Sequence, residues 1–374
     1  MKEEFMKRAL ELAEKARGNT NPNPMVGAVI VKDGRIIGEG YHKTYGGPHA
    51  EIEAFLQADE DVEGSDLYVT LEPCAHYGKT PPCVEAIVLK KIKRVYVAVL
   101  DPNPLVSGKG IQILRDAGIE VEIGLLKDSA KALNEIFFQY ITTKRPYVIM
   151  KSAMTLDGKI ATFTGASRWI TGSAARTHVH EWRRRVGAIM VGIGTVLKDN
   201  PKLNVRLSQN IRRHPMRIVV DSKGRLPQDA LILNNLENEP LMVATTENIT
   251  DEKKTLLESM GAEVVICPEK EGRVDLSYLM HELGKRKVDS VLLEGGGILN
   301  YAFLEEGLVD KVLVYIAPII FGGKDASTPV EGKGVANPHE AFKLEIVDIH
   351  HFDDDILIEA QMKKRSDQHV YRID

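Results

Sequence analysis

The stretch Glu72-Pro73-Cys74-Ala75-His76-Tyr77-Gly78-Lys79-Thr80-Pro81-Pro82-Cys83, read with His49-Ala50-Glu51 upstream of it, decides how this chain is understood. One imidazole and two thiolates are three ligands for a tetrahedral zinc ion. Three protein ligands leave a fourth position for water, whose pKa the metal lowers towards about 7. Cys74 follows an apolar run that reads as a strand, Leu67–Leu71, and Cys83 opens a predicted helix, Cys83–Lys90. A helix N-terminus favours thiolate over thiol. His49 opens a second predicted helix, His49–Ala58, with Glu51 two residues along it. From there Glu51 cannot easily bind the same metal as His49. Its carboxylate can instead reach a water at the open position and carry its proton. A lone histidine or cysteine is usually inert, but the combination at these helix starts is rare.

Outward from this site, helix and strand signals alternate. A helix is expected over residues 3–17, with Phe5, Leu10, Leu12, Ala13 and Ala16 near one face and Gly18-Asn19 as its stop. Val26–Val31 and Ile36–Gly40 flank Asp33-Gly34, a strong hairpin turn. Strands at Val95–Leu100 and Ile119–Ile123, a helix at Gly110–Ala117 and a closing helix at Ser129–Tyr140 complete an α/β sandwich with helices on both faces. The pattern restarts after Thr142-Thr143-Lys144-Arg145-Pro146, the best linker candidate, which gives domains of residues 1–145 and 146–374. The second half is also α/β. Its strands are expected at Tyr147–Met154, Ala188–Val191, Ile218–Asp221, Leu241–Thr245, Val264–Cys267, Ser290–Leu293 and Lys311–Ala317. Its helices are expected at Ala174–Val186, Asp251–Met260, Ser277–Arg286 and Ile298–Glu306. The last ten residues are polar and read as a tail.

Composition narrows the function. The chain has 374 residues, enough for two domains, with 43% hydrophobic and 27% charged residues. Residues 1–145 carry 19 Lys+Arg against 21 Asp+Glu and the remainder 30 against 32, so neither half is a basic module for nucleic acid. No apolar run nears the roughly 20 residues of a membrane helix. The amphipathic N-terminus is no secretory signal. Three cysteines make no disulfide scaffold, and a cytoplasmic location is expected. A small-molecule enzyme is the better reading.

H-x-E followed by P-C-x-x-C marks the zinc nucleobase deaminases. Here eight residues separate the cysteines instead of two. That departure, with Asn21-Pro22-Asn23-Pro24-Met25-Val26-Gly27, closely resembles the bacterial bifunctional riboflavin-biosynthesis deaminase/reductases, and the resemblance runs through essentially the whole chain. It implies a cytidine-deaminase-like fold for the first domain and zinc on His49, Cys74 and Cys83. It also implies a substrate, 2,5-diamino-6-ribosylamino-pyrimidinone 5′-phosphate, which loses its 2-amino group with Glu51 as proton shuttle. By motif position Asn23 resembles a pyrimidine contact, and His42, His76, Lys79 and Thr80 resemble contacts to ribose or phosphate.

In the second domain Val291-Leu292-Leu293-Glu294-Gly295-Gly296-Gly297 runs from a strand through three glycines into a helix, an anion site suited to a pyrophosphate, although G-x-G-x-x-G is absent. The segments Lys151–Lys159, Ser167–Gly172 and Gly192–Pro201 resemble the riboflavin-pathway reductases, which share the dihydrofolate-reductase fold. The resemblance implies NADPH reduction of the ribosyl group to ribityl. Ala153, Trp169, Thr195, Asp199, Ser222, Gly296 and Gly297 then look like NADPH contacts. Lys151, Ser167, Thr171, Arg183, Leu203, Arg206 and Glu294 look like substrate contacts, with Arg183 and Arg206 able to grip a phosphate. Cys267 reads as a core thiol. Two rivals remain: a nucleoside or tRNA deaminase with an unrelated second domain, and a zinc-stabilised scaffold. An apolar sheet edge in either domain would support a homo-oligomer.

Overall fold

The computed structural model describes residues 1–77, 81–103, 106–207 and 214–363. Its contacts divide into two compact units, Met1–Lys144 and Arg145–Asp374.

In the first unit the apolar runs become a five-stranded sheet of order β2-β1-β3-β4-β5. The strands are β1 (Gly27–Lys32), β2 (Arg35–Tyr41), β3 (Asp66–Val69), β4 (Arg94–Val97) and β5 (Glu120–Ile123). β1 pairs antiparallel with β2 and β3, while β3, β4 and β5 run parallel. Asp33 and Gly34 both take positive φ (50° and 78°), which is the tight hairpin that an Asp-Gly pair favours. Side chains alternate between the sheet's two faces, so the strands feed two cores. Ala28, Ile30, Leu67, Val69, Val95 and Val97 pack beneath α2 (Ala50–Leu56), α3 (Cys83–Leu89) and α4 (Lys109–Asp116). Val29, Val31, Tyr68 and Tyr96 pack on the other face against α1 (Lys2–Glu14), α5 (Lys127–Leu133) and α6 (Glu135–Thr143).

The expected closing helix, Ser129–Tyr140, is in fact two. The break falls at Asn134, whose backbone leaves the helical region (φ −110°, ψ 25°) and whose side-chain amide binds Met25: Oδ1 accepts from Met25 N (2.8 Å) and Nδ2 donates to Met25 O (2.8 Å). Asn134 thereby pins the loop that precedes β1.

The second unit holds a nine-stranded sheet of order β10-β9-β8-β7-β13-β6-β14-β16-β15. Seven strands are parallel: β6 (Tyr147–Thr155), β7 (Ala188–Gly192), β8 (Met216–Val220), β9 (Leu241–Thr245), β10 (Glu263–Ile266), β13 (Ser290–Leu293) and β14 (Lys311–Ala317). β11 (Glu269–Lys270) and β12 (Arg273–Val274) form a separate ribbon. An antiparallel hairpin, β15 (Leu344–Phe352) and β16 (Asp355–Met362), extends the β14 edge, a feature absent from the sequence reading. β15 is exposed along most of its length, so it lacks the buried alternation that signals a strand. The helices are α7 (Ser173–Arg185), α8 (Ile193–Asp199), α9 (Asp251–Ser259), α10 (Leu276–Lys285) and α11 (Gly297–Glu305). Cys267 is buried in the core, as expected.

The chain passes from β6 to β7 across the place later filled by β13, so the strand order reverses there. Ligands of such sheets bind outside the carboxyl ends of the strands at that point.

Candidate functional site

His49 caps α2 and Cys83 begins α3, while Cys74 lies in the loop after β3. His49 Nδ1 is 3.2 Å from Cys83 Sγ and 3.4 Å from Cys74 Sγ, and the three ligand atoms lie within 4.8 Å of one another. Tetrahedral zinc, with Zn–S of about 2.3 Å and Zn–N of about 2.0 Å, puts neighbouring N and S ligands about 3.5 Å apart. The donor set fits the ion in kind and in spacing. The Cys83 backbone N–H also donates to Cys74 Sγ (3.2 Å), the type of contact that stabilises a thiolate. The Cys83 thiol, with His49, pulls Cys74 down to about 4, and the Cys74 sulfur with burial pushes Cys83 up.

Glu51 is 3% exposed. Burial, reinforced by the Cys74 sulfur, pushes its carboxyl up to about 7, where it can both take and return a proton. His42, also buried, has a defined tautomer: Nδ1–H donates to Pro48 O (2.9 Å), so Nε2 accepts from Asn23 Nδ2 (3.2 Å). That assignment leaves Asn23 Oδ1 for another donor. His76 is exposed beyond Cys74. Lys79 and Thr80 lie outside the described residues.

The sequence reading did not single out Glu72. Its buried carboxylate accepts N–H groups from Asp101 (3.2 Å), Gly108 (3.0 Å) and Gly110 (3.0 Å), which fixes that loop two residues from Cys74. Its partners lie 29 to 38 residues away in sequence, so no local motif could have shown the role.

In the second unit, Arg183, Lys151 and Glu294 come together where β13 ends beside β6. Arg183 on α7 meets Glu294 after β13 through Nε–Oε1 (2.6 Å) and Nη2–Oε2 (2.9 Å). Lys151 on β6 approaches the same carboxylate at 3.5 Å. Burial alone would raise the Glu294 pKa, but Arg183 and Lys151 overcome it and hold the carboxyl at about 2. Arg183 Nη1 also donates to Asn204 O (3.0 Å), which ties the loop carrying Leu203 and Arg206. Leu203 is buried with φ 52°.

Ser167 donates to Asp199 Oδ1 (3.2 Å). Trp169 is exposed beneath the Arg176 guanidinium, which also bonds the Thr171 carbonyl. Ala153 lies on β6 two residues beyond Lys151, on the same strand face. Ser222 follows β8, two strands from β13, where its Oγ accepts from Val274 N (3.0 Å).

The glycine turn behaves as a cradle. A Cβ on Gly297 would come within 2.5 Å of Glu331 Cγ, and one on Gly295 within 2.9 Å of Asn300 Oδ1. The nearest atom to a Cβ on Gly296 would be Thr195 Oγ1 at 3.8 Å, so that position is open towards α8. Backbone packed this closely at the N-terminus of α11, beside Thr195, suits a dinucleotide phosphate.

These features define a zinc-type deaminase joined to an α/β reductase. Residues 1–99 match the cytidine and deoxycytidylate deaminase zinc-binding region, and residues 146–358 match the RibD C-terminal domain. The chain belongs to the RibD family of riboflavin-biosynthesis enzymes, bifunctional proteins with a deaminase and a reductase domain. It is 48% identical over 356 residues to the riboflavin biosynthesis protein RibD of Actinobacillus pleuropneumoniae, covering 95% of this chain and 94% of that one. Its structure is similar to that of Acinetobacter baumannii RibD (TM-score 0.87, 42% identity, 97% of this chain and 99% of that one). It is also similar to a diaminohydroxyphosphoribosylaminopyrimidine deaminase/5-amino-6-(5-phosphoribosylamino)uracil reductase from Thermotoga maritima (TM-score 0.85, 40% identity, 96% and 98%). The match to bifunctional RibD over 95% of the chain, with its reductase domain over residues 146–358, removes the tRNA-deaminase and scaffold readings. Among the described residues no helix is long and apolar enough to cross a membrane.

Proposed function

We propose that residues 1–145 deaminate 2,5-diamino-6-ribosylamino-pyrimidinone 5′-phosphate and that residues 146–374 reduce the ribosyl group of the product to ribityl with NADPH. The observation that carries the reading is the buried Glu51 carboxyl beside the His49–Cys74–Cys83 triad, in one chain with the Lys151–Glu294–Arg183 cluster.

His49, Cys74 and Cys83 would hold one zinc ion, which supplies the Lewis acidity that lowers the pKa of a water. Glu51 would carry the water's two protons in turn, one to the ring nitrogen and the other to the departing amino group, so N=C–NH2 and H2O become NH–C=O and NH3. Asn23, fixed by His42, offers its Oδ1 to a ring N–H. His76, Lys79 and Thr80 are assigned by motif to the sugar phosphate.

In the second domain Gly296, Gly297 and Thr195 would hold the phosphates of NADPH, a hydride donor when bound, and Ala153, Trp169, Asp199 and Ser222 would be its further contacts. Lys151, Ser167, Thr171, Arg183, Leu203, Arg206 and Glu294 seat the substrate, with Arg206 meeting its anionic phosphate. The reading keeps the enzyme cytoplasmic. It also makes it a homo-oligomer, which the exposed Leu344, Ile346 and Ile349 on the β15 edge support and light scattering tests.

The test is Glu51→Gln in the full-length chain. Ammonia release is expected to fall roughly 10²–10⁴-fold with zinc content unchanged, while NADPH oxidation on deaminated substrate persists. Deamination at the normal rate would refute the proton-shuttle role. NADH serving as well as NADPH would refute the cofactor assignment.

A further inference from the structure

His180 lies on α7 one turn before Arg183, and its ring faces the loop after α8. Its Nδ1 accepts the backbone N–H of Arg206 (3.1 Å), and its Nε2 lies 3.4 Å from both Arg206 Nε and Nη2. A backbone N–H and a guanidinium N–H can only donate, and a neutral imidazole has one acceptor nitrogen, so His180 takes only one of these contacts at a time. The shorter one, the Arg206 backbone N–H on Nδ1, leaves the neutral ring with its hydrogen on Nε2. Its surroundings enforce this. Burial, then Arg183 on its own helix and Arg206 on the loop, push the imidazole down to about 4, against the opposing pull of Glu294 after β13, with Lys151 on β6 adding to the downward push.

The loop has other anchors before Arg206. Arg217 Nη1 donates to Lys202 O (3.1 Å) and Arg183 Nη1 to Asn204 O (3.0 Å). Leu203 and Val205 are buried. Arg206 is exposed as a residue, but partial desolvation of its guanidinium, together with the facing Arg183 and Arg168 guanidiniums, lowers its pKa. Glu294 offsets these like charges only in part, because its carboxylate is already paired with Arg183, so the Arg206 side chain is pushed away from Arg183. The His180 bond to its backbone opposes that drift.

We infer that His180 is a positioning residue of the reductase site, holding Arg206 where its guanidinium meets the anionic end of the substrate. The inference rests on the proposed placement of Arg206 in that site. His180 touches no reacting atom, so its effect is on substrate affinity and not on the chemical step.

The experiment compares His180→Ala, His180→Asn and Arg206→Ala in the full-length chain, with deaminated pyrimidine ribosyl-phosphate as the reductase substrate. His180→Ala should raise the KM for that substrate roughly three- to tenfold, the scale of one lost hydrogen bond, with much smaller changes in kcat and in the KM for NADPH. Asparagine, whose Oδ1 can take the place of Nδ1 as acceptor, should restore most of the affinity. Hydrogen exchange at the Arg206 amide should quicken in His180→Ala and slow again in His180→Asn. If Arg206→Ala raises the KM while His180→Ala leaves both the KM and the Arg206 exchange rate unchanged, the positioning role is overturned. If Arg206→Ala leaves the KM unchanged, the placement of Arg206 fails, and the inference fails with it.

Discussion

Arg183 and Glu294 form a two-pronged ion pair, 2.6 and 2.9 Å long, with their side chains only 12% and 9% exposed. A pair this buried is weak evidence of stability while intact, because desolvation offsets attraction. Breaking it leaves an uncompensated charge, which typically costs about 3–5 kcal/mol. Lys151 stays within 3.5 Å of the carboxylate, so Arg183→Ala should fall near the lower end, about 3 kcal/mol. Denaturant unfolding of the full-length chain, following the transition of the reductase unit, measures this. A loss under about 1 kcal/mol would mean that the carboxylate is better solvated than its burial indicates.

The same carboxylate gives a pH dependence whose sign is fixed. Glu294 is held at about 2 in the folded chain, below the ordinary value of 4.5. Between those values the unfolded chain binds more protons than the folded one. The stabilisation is therefore complete above pH 4.5 and is lost as pH falls towards 2. Its size is at most about 3 kcal/mol. The stability gap between the natural chain and Glu294→Gln should accordingly be widest near neutrality and shrink across that window. A gap independent of pH would show that the pair does not hold the carboxyl down.

How far the sequence could be read depended on how local each signal was. The zinc triad was legible because residue chemistry and helix starts both lie within short motifs. The strands of both sheets were legible because buried runs are apolar, Val26–Val31 and Val291–Leu293 among them. The hairpin formed by β15 and β16 was not, since an edge strand facing solvent carries Glu345, Asp348, His350 and His351 among its apolar residues. Helix α8 was hidden by Gly192 and Gly194 at its start. The supporting residues stayed invisible for a further reason. Glu72, Asn134 and His180 act on backbone groups 26 or more residues distant, a relation that only the folded chain supplies.

The packing around Cys74 supplies a third prediction. A Cβ on Gly110 would lie 2.3 Å from the Pro73 carbonyl oxygen and 3.2 Å from Glu72 Oε1. Backbone cannot yield as a flexible side chain does, so Gly110→Ala must displace either the start of α4 or the Pro73-Cys74 segment. The expected result is a loss of about 1–3 kcal/mol in the deaminase unit, typical of overpacking, together with faster release of zinc to a chelator. Zinc release at the natural rate would show that α4 moves and the metal loop stays.

His42 bridges the Pro48 carbonyl and the Asn23 amide, and this sets which way Asn23 points. With Nδ1–H spent on Pro48, Nε2 accepts only from Asn23 Nδ2, so Oδ1 of that amide is the end presented elsewhere. Removing the ring frees the amide to turn over and also leaves the Pro48 carbonyl short of a donor. His42→Ala should lower kcat/KM for deamination about tenfold, the scale of one misdirected hydrogen bond, with zinc content preserved because His42 is not one of the three ligands. If the effect passes through Asn23, the loss in the His42→Ala, Asn23→Ala double variant should match that of Asn23→Ala alone, a coupling energy that a double-mutant cycle reads directly. Additive losses would instead give His42 a contact of its own with the substrate.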